Sequence, residues 1–120
     1  MSTLKVDTIQ DTNAVEMYLC KAWVNFDGTG TPAIRDSGNV SSITDVATGR
    51  YEVNFTNALE DTNYACVTGT NLNISSGGSA NYNRSAVANA ATTSMAYFNT
   101  YTSNGASLVD VNVNQLAVFR

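Results

Sequence analysis

The side chains of this chain that are capable of acid–base chemistry are carboxylates, because the sequence contains no histidine. General acid–base catalysis most often uses histidine, and a glycosidase needs two carboxylates that face each other across a sugar groove. No serine stands beside a basic partner in a nucleophile motif. The carboxylates are therefore interpreted as turn-forming or solvated residues, and we expect a protein that is not an enzyme and has no catalytic residue. The carboxylates considered are Asp27, Asp36, Asp45, Glu52, Glu60, Asp61 and Asp110.

The two cysteines are the side chains that could form a disulfide or hold a soft metal ion. A structural zinc site needs four ligands at short spacings, whereas Cys20 and Cys66 stand alone in a chain without histidine. No export signal is recognised, so a cytosolic origin favours free thiols. Because both cysteines lie in apolar, strand-like runs, we expect two separate buried thiols, no metal site and no cofactor.

Aromatic rings are the side chains best suited to stack on sugar faces or to fill subunit interfaces. Most of them fall in strand-like runs, where a place in the core or at an interface is expected. Tyr82 differs, because Asn81, Asn83 and Arg84 flank it in a loop-like stretch. We therefore predict Tyr82, Asn81, Asn83 and Arg84 as contacts with a receptor. The other aromatic candidates are Tyr18, Trp23, Tyr51, Tyr64, Tyr97 and Tyr101.

The elements that must position these residues are strands. Charged residues make up only 13% of the chain, and Asn, Ser and Thr, which are poor helix formers, supply the polarity instead. Apolar and polar residues alternate most clearly over Arg50–Thr56, and Cys20–Phe26 alternates before the turn Asp27–Gly30. That turn reads Asp-Gly-Thr-Gly and not the Asp-Thr-Gly of aspartic proteases.

Further strands are predicted where short apolar runs lie between turn-forming residues. Asp36–Asn39 is interpreted as the separation between two short extended runs. Ser85–Ala91 is open between strand and loop, and Asn57–Asn63 is open between a single helical turn and an irregular connection. A change of phase near Gln115 predicts a bulge or burial on both faces. The further strands are expected at Ala33–Arg35, Val40–Thr44, Tyr64–Thr70, Met95–Thr102 and Val109–Phe119. Residues expected in the core or at a subunit axis are Ala22, Val24, Phe26, Tyr51, Val53, Phe55, Val111, Val113 and Val118.

About seven to eight short strands joined by Gly, Asn and Ser turns are typical of an antiparallel β-sandwich. We expect residues 17–120 to form this all-β domain. Residues 1–16 stand apart, since Leu4, Val6 and Ile9 give only a weak apolar stripe, and they are predicted to be an N-terminal arm that docks on another protein. Few charges are available to protect the sheet edges, so assembly around an axis, as a trimer, is expected to cover them.

The charge distribution argues against two classes of partner. The net charge is −4, and the Lys and Arg residues are scattered without a basic stripe, so nucleic acid is not an expected partner. No apolar stretch approaches the roughly 18 residues that span a bilayer, so we expect no membrane partner.

Several segments resemble known proteins of virus particles. The opening residues 1–12 resemble the start of small fibre-like structural proteins of marine podoviruses and cyanophages. The middle of the chain is similar to a β module that recurs in tail-fibre proteins of tailed bacteriophages. Tyr18–Cys20 and Asn71–Ser94 do not match this pattern. The segments that carry the middle and closing resemblance are Lys21–Gly30, Ile34–Arg35, Asn39–Asp45, Gly49–Thr56, Asn63–Ala65 and Val111–Phe119.

The resemblance implies a structural protein of the virion, made in the host cytoplasm, that works as a homotrimeric, tail-fibre-like module. The expected function is recognition of and attachment to the host surface, where the partner is a glycan or a protein. The N-terminal arm is expected to bind other virion proteins. The alternative is a capsid decoration, collar or connector protein with a purely assembly role.

Overall fold

The computed structural model describes residues 2–71, 85–102 and 105–120. Within these residues, eight antiparallel strands form two four-stranded sheets, and there is no helix. The predicted all-β class and strand number are confirmed, and the arrangement is consistent with a β-sandwich. The strands are β1 (Cys20–Asp27), β2 (Ala33–Gly38), β3 (Val40–Ala47), β4 (Arg50–Phe55), β5 (Ala65–Asn71), β6 (Ser85–Thr92), β7 (Met95–Tyr101) and β8 (Val113–Phe119).

The first sheet has the strand order β2-β1-β8-β5, and the second sheet has the order β3-β4-β7-β6. The chain passes from the first sheet to the second at Asn39, whose φ of 55° lies in the left-handed region. Its side-chain amide donates to the carbonyl oxygens of Lys21 and Asn57 at 3.0 and 3.1 Å. The separation predicted over Asp36–Asn39 is therefore reduced to Asn39, because β2 continues to Gly38 and β3 begins at Val40.

The core lies between the two sheets. It is built from the residues that face inward at alternate positions along the strands. Phe26 of β1 packs edge-to-face against Tyr51 of β4 and Phe98 of β7, with ring centroids 5.2 and 5.4 Å apart. Phe55 packs in the same way against Tyr64 at 5.8 Å. The buried hydrophobic residues are Ala22, Val24, Phe26, Val40, Tyr51, Val53, Phe55, Tyr64, Ala96, Phe98, Val111, Leu116 and Val118.

Val113, which was predicted in the core or at a subunit axis, does not lie in the core, because the alternation of buried and outward residues shifts before β8. Val111 is fully buried, but Val113 is only half-buried, and Asn114 occupies the buried position instead. The irregular backbone lies between Val111 and β8, not at Gln115, because from Asn114 to Val118 the strand alternates regularly between buried and outward positions. Asn114 is tolerated in the core because its amide donates to the Val111 carbonyl oxygen at 2.8 Å.

Two segments that the sequence left open are settled by the backbone. Residues 85–92 form strand β6, which pairs with β7, although all four of its half-buried positions are small alanines that give a weak strand signal. Residues 57–63 form an irregular connection without a helical turn. Arg120 stabilises this connection, because its guanidinium donates to both carboxylate oxygens of Asp61 at 2.8 and 2.6 Å.

The turn between β3 and β4 is held by a partly buried polar cluster. The Tyr51 hydroxyl donates to the Asp110 carboxylate at 2.7 Å, and the Gly49 backbone N–H donates to the same carboxylate oxygen at 2.8 Å. Burial and the bond to Asp110 raise the pKa of Tyr51 far above its ordinary value, so this hydroxyl stays protonated. Asp110 thus joins the β3–β4 turn to the segment that precedes β8.

Replacing Gly49 by Ala is expected to destabilise the fold more than replacing Gly30 by Ala. Both glycines have positive φ, 66° and 63°, so both variants carry a backbone penalty of about 1–2 kcal/mol. A Cβ at Gly49 would also lie 2.6 Å from the Val109 nitrogen and 2.7 Å from the Thr100 carbonyl oxygen, whereas a Cβ at Gly30 would meet no atom within 4 Å. Urea denaturation of the two variants measures the difference. Equal midpoints would contradict the predicted backbone clash.

Candidate functional site

The predicted receptor contacts Tyr82, Asn81, Asn83 and Arg84 lie outside the described residues. The predicted docking residues lie within the part of the chain that the structure describes. Leu4 is 85% exposed, Val6 is 53% exposed and Ile9 is partly buried. The arm therefore presents apolar side chains to solvent. Docking onto another protein stays a prediction.

Residues 9–17 form a small closed turn ahead of the first sheet. The Met17 N–H donates to the Ile9 carbonyl oxygen at 2.7 Å, and the Asp11 N–H donates to the Val15 carbonyl oxygen at 3.0 Å. The Asp11 carboxylate accepts the Val15 N–H at 3.0 Å, and Ala14 adopts a φ of 61°. This turn brings the next residues to the edge of the sandwich at the start of β1.

The end of this turn and the two residues that follow it before β1 carry exposed apolar side chains that were not predicted as docking residues. Val15, Met17, Tyr18 and Leu19 are between 50% and 67% exposed. The sequence pattern that could have predicted these residues as docking residues is a run of apolar side chains beside the predicted docking arm. It was missed because the arm was assumed to carry its contacts only at Leu4, Val6 and Ile9.

The outward face of the first sheet carries an apolar stripe, defined here as Tyr18, Trp23, Val67, Ala117 and Phe119. Ala117 of β8 lies directly between Trp23 of β1 and Val67 of β5 in the strand register. Trp23 is 41% exposed and Val67 is 57% exposed. Tyr18 and Phe119 line one surface depression together, so the stripe continues to the N-terminal segment. Solvent-exposed sheet faces are usually polar, and this face therefore resembles an interface more than a free surface.

A polar row borders the apolar stripe. Gln115 of β8 lies between Asn25 of β1 and Gly69 of β5, one step along the same sheet face. Together with Trp23 and Val67, these residues line a shallow groove of about 370 Å³. An apolar centre bordered by amide side chains is the composition expected of a protein–protein contact.

The outward face of the second sheet is different in character. Tyr97 of β7 is 46% exposed and lies between Glu52 of β4 and Asn89 of β6 in the register. Next to this row, Arg50 of β4 pairs with Asn99 of β7. A groove of about 230 Å³, here called the Tyr97 groove, is lined by Val46, Arg50, Tyr51, Asn89, Tyr97 and Asn99.

The carboxylates that could have served in acid–base chemistry mostly hold backbone and side chains in place. Asp27 accepts the Thr29 N–H at 2.8 Å in its turn, and this bond and one from the Thr29 hydroxyl lower the pKa of Asp27. Asp110 accepts the Tyr51 hydroxyl, and Asp61 pairs with Arg120. The geometry brings none of these three carboxylates into the Tyr97 groove.

The cysteines are free, but they are not both buried. Cys66 is half-buried, and burial raises the pKa of its thiol, which disfavours the thiolate. Cys20 is exposed at the start of β1, which corrects the expectation of a buried thiol. It was misjudged because the apolar residues before it belong to the exposed N-terminal segment. Within residues 2–71, 85–102 and 105–120, no three His, Cys, Asp or Glu side chains cluster closely enough to hold a metal ion.

The same three ranges contain no helix with the length and hydrophobicity needed to cross a membrane. Comparison with models of protein families gives no match to this chain. No curated protein matches it in sequence, and no solved structure matches it in fold.

Proposed function

We propose that this chain is a non-enzymatic structural module of a tailed-bacteriophage particle, a tail-fibre-like homotrimer that recognises and attaches to the host surface. The observation that carries the proposal is the contrast between the two outward sheet faces. One face bears the apolar stripe, and the other bears an exposed tyrosine among amide, charged and valine side chains. The first is suited to contact between subunits, and the second is suited to contact with a ligand in solvent.

The apolar stripe supports self-association because a single chain leaves it uncovered. Its central row runs across three neighbouring strands of the first sheet, from Trp23 through Ala117 to Val67. Burial of apolar area of this kind contributes about 25 cal/mol for each Å² removed from water. Packing three first sheets around a common axis covers the stripes and turns the three second sheets outward.

A second candidate is a capsid decoration, collar or connector protein with a purely assembly role. The observation that favours it is the exposed apolar N-terminal segment, which includes Leu4, Val6, Val15 and Met17. Such side chains suit docking on another virion protein. Under the leading proposal the same segment attaches the module to the particle, so the two candidates differ only in what the second sheet does.

Binding to host cells distinguishes the two candidates. The purified protein, with its oligomeric state established by light scattering, is incubated with host cells and with phage. Saturable binding that blocks phage adsorption supports a recognition module. A folded oligomer that binds no cells and leaves adsorption unchanged contradicts the recognition role and supports the assembly role.

The docking part of the proposal has its own test. A variant lacking residues 1–11 keeps all eight strands and is expected to fold while failing to join particles. Incorporation is measured by particle purification and immunoblotting. Normal incorporation of the truncated chain would remove the proposed docking role of these residues.

A further inference from the structure

The Tyr97 groove combines two kinds of side chain that recognise sugars. The exposed Tyr97 ring offers a flat apolar face, and the amides of Asn89 and Asn99 can donate to and accept from hydroxyl groups. Its volume of about 230 Å³ is below the roughly 300 Å³ at which drug-sized sites begin. The groove thus suits a single sugar residue rather than a long segment of chain.

Arg50 adds a cation whose charge is not neutralised by the fold. Arg35 and Arg120 each pair with carboxylates, whereas Arg50 has no carboxylate within 4.0 Å among the described residues. Its guanidinium also makes no hydrogen bond to those residues, yet it lines the groove beside Tyr97. A guanidinium presents parallel donors that match a carboxylate in a bidentate manner.

We propose that the Tyr97 groove binds a carboxylated sugar residue, such as a uronic acid of a host surface polysaccharide. The guanidinium of Arg50 binds the sugar carboxylate, the Tyr97 ring stacks on the sugar face, and the amides of Asn89 and Asn99 bind hydroxyl groups. This inference rests on the proposed recognition function and names the chemistry of the ligand.

The position of Glu52 distinguishes a site for an acidic sugar from a site for a neutral sugar. Glu52 is the register neighbour of Tyr97 on β4, but it does not line the groove. A neutral sugar site would be expected to use this carboxylate for hydroxyl groups. In a site for an acidic sugar, Arg50 binds the sugar carboxylate, and the negative charge of Glu52 only repels that carboxylate.

The test is an NMR titration of the intact protein with two matched pairs of ligands. Methyl glucuronide is compared with methyl glucoside, and methyl galacturonide with methyl galactoside, because each pair differs only in the carboxylate. Amide shifts on β4 and β7 report the site. We expect at least one uronide to bind about tenfold or more tightly than its neutral partner, as for a charge-assisted bond. Equal affinities within both pairs, or no binding by either uronide, would overturn the proposal.

Variants in the groove identify the groups responsible. Arg50→Gln is expected to weaken uronide binding about tenfold to a hundredfold, and Tyr97→Ala about threefold to tenfold. Glu52→Gln, the matched amide change outside the groove, is expected to bind the uronide equally or more tightly. Loss of binding in Glu52→Gln with normal binding in Arg50→Gln contradicts the assignment. Amide spectra of each variant in the absence of sugar verify that it is folded.

The outcome for the groove is separable from the outcome for the proposed function. Binding to host cells without binding to either uronide would contradict the proposed sugar site and would support the recognition role. A protein that binds a uronide through Arg50 but does not bind host cells keeps the site and loses the attachment role.

Discussion

Replacing Phe26 by Ala is expected to lower the free energy of unfolding by about 3–5 kcal/mol. Phe26 is fully buried, and its ring touches Tyr51 and Phe98 of the opposite sheet. The variant therefore loses both the burial of the ring and two edge-to-face contacts that join the sheets. Because small domains are stable by only about 5–15 kcal/mol, this change removes a large part of the total.

Tyr97→Ala is the matched control for this prediction. It also deletes an aromatic ring from a strand, but that ring is 46% exposed on the outward face. This variant is expected to lose about 1 kcal/mol of the free energy of unfolding, as is typical of point substitutions. Urea denaturation of both variants measures the two costs. A Phe26→Ala protein that is as stable as Tyr97→Ala would show that the two sheets do not enclose this core.

Replacing Val67 by Glu is expected to convert the proposed trimer into monomers. Val67 lies in the apolar stripe, and a glutamate there would be buried without a cationic partner in each subunit contact. An uncompensated buried charge costs about 3–5 kcal/mol, which corresponds to a weakening of subunit affinity by about a hundredfold to several thousandfold. Light scattering of the wild type is expected to give three times the 12.8 kDa chain mass.

Val87→Glu is the control, because it makes the same change at a similarly exposed valine on the second sheet. Val67 is 57% exposed in β5, and Val87 is 47% exposed in β6. The Val87 variant is expected to stay trimeric. Circular dichroism checks that both variants keep their strands. A trimeric Val67→Glu protein would exclude the apolar stripe as the subunit interface, and a monomeric wild type would exclude the trimer itself.

Much of the fold could be predicted because binary alternation is a local property of a strand. In β4, the buried Tyr51, Val53 and Phe55 alternate with polar residues, and the structure buries those three in the core. The pattern fails where a residue is buried for a non-local reason. Asn114 is polar and fully buried, and two groups distant in sequence bind its side chain: its amide donates to the Phe26 carbonyl oxygen at 3.5 Å, and its oxygen accepts from the Thr70 hydroxyl at 3.3 Å.

The candidate site was harder to predict than the fold. A local polar context drew attention to Tyr82, whereas Tyr97 lies in a strand-like run that suggested a core or interface place. Its exposure depends on which strand face is outward. Its neighbour Arg50 comes from a distant part of the sequence, and Asn89 comes from the preceding strand of the same hairpin. Only the register of β4, β7 and β6 brings these residues together. The apolar stripe is also non-local, since β1, β5 and β8 each contribute only one or two of its residues.

The pairing of β1 with β8 has a mechanical consequence. Cys20 at the start of β1 pairs with Phe119 at the end of β8, so both strands leave the sandwich at the same end. Tension applied between these two points acts along the interstrand hydrogen bonds, which are perpendicular to the strands. The bonds then open one after another instead of sharing the load. In the proposed trimer, tension that enters through residue 20 and leaves through the subunit contacts avoids that weak direction.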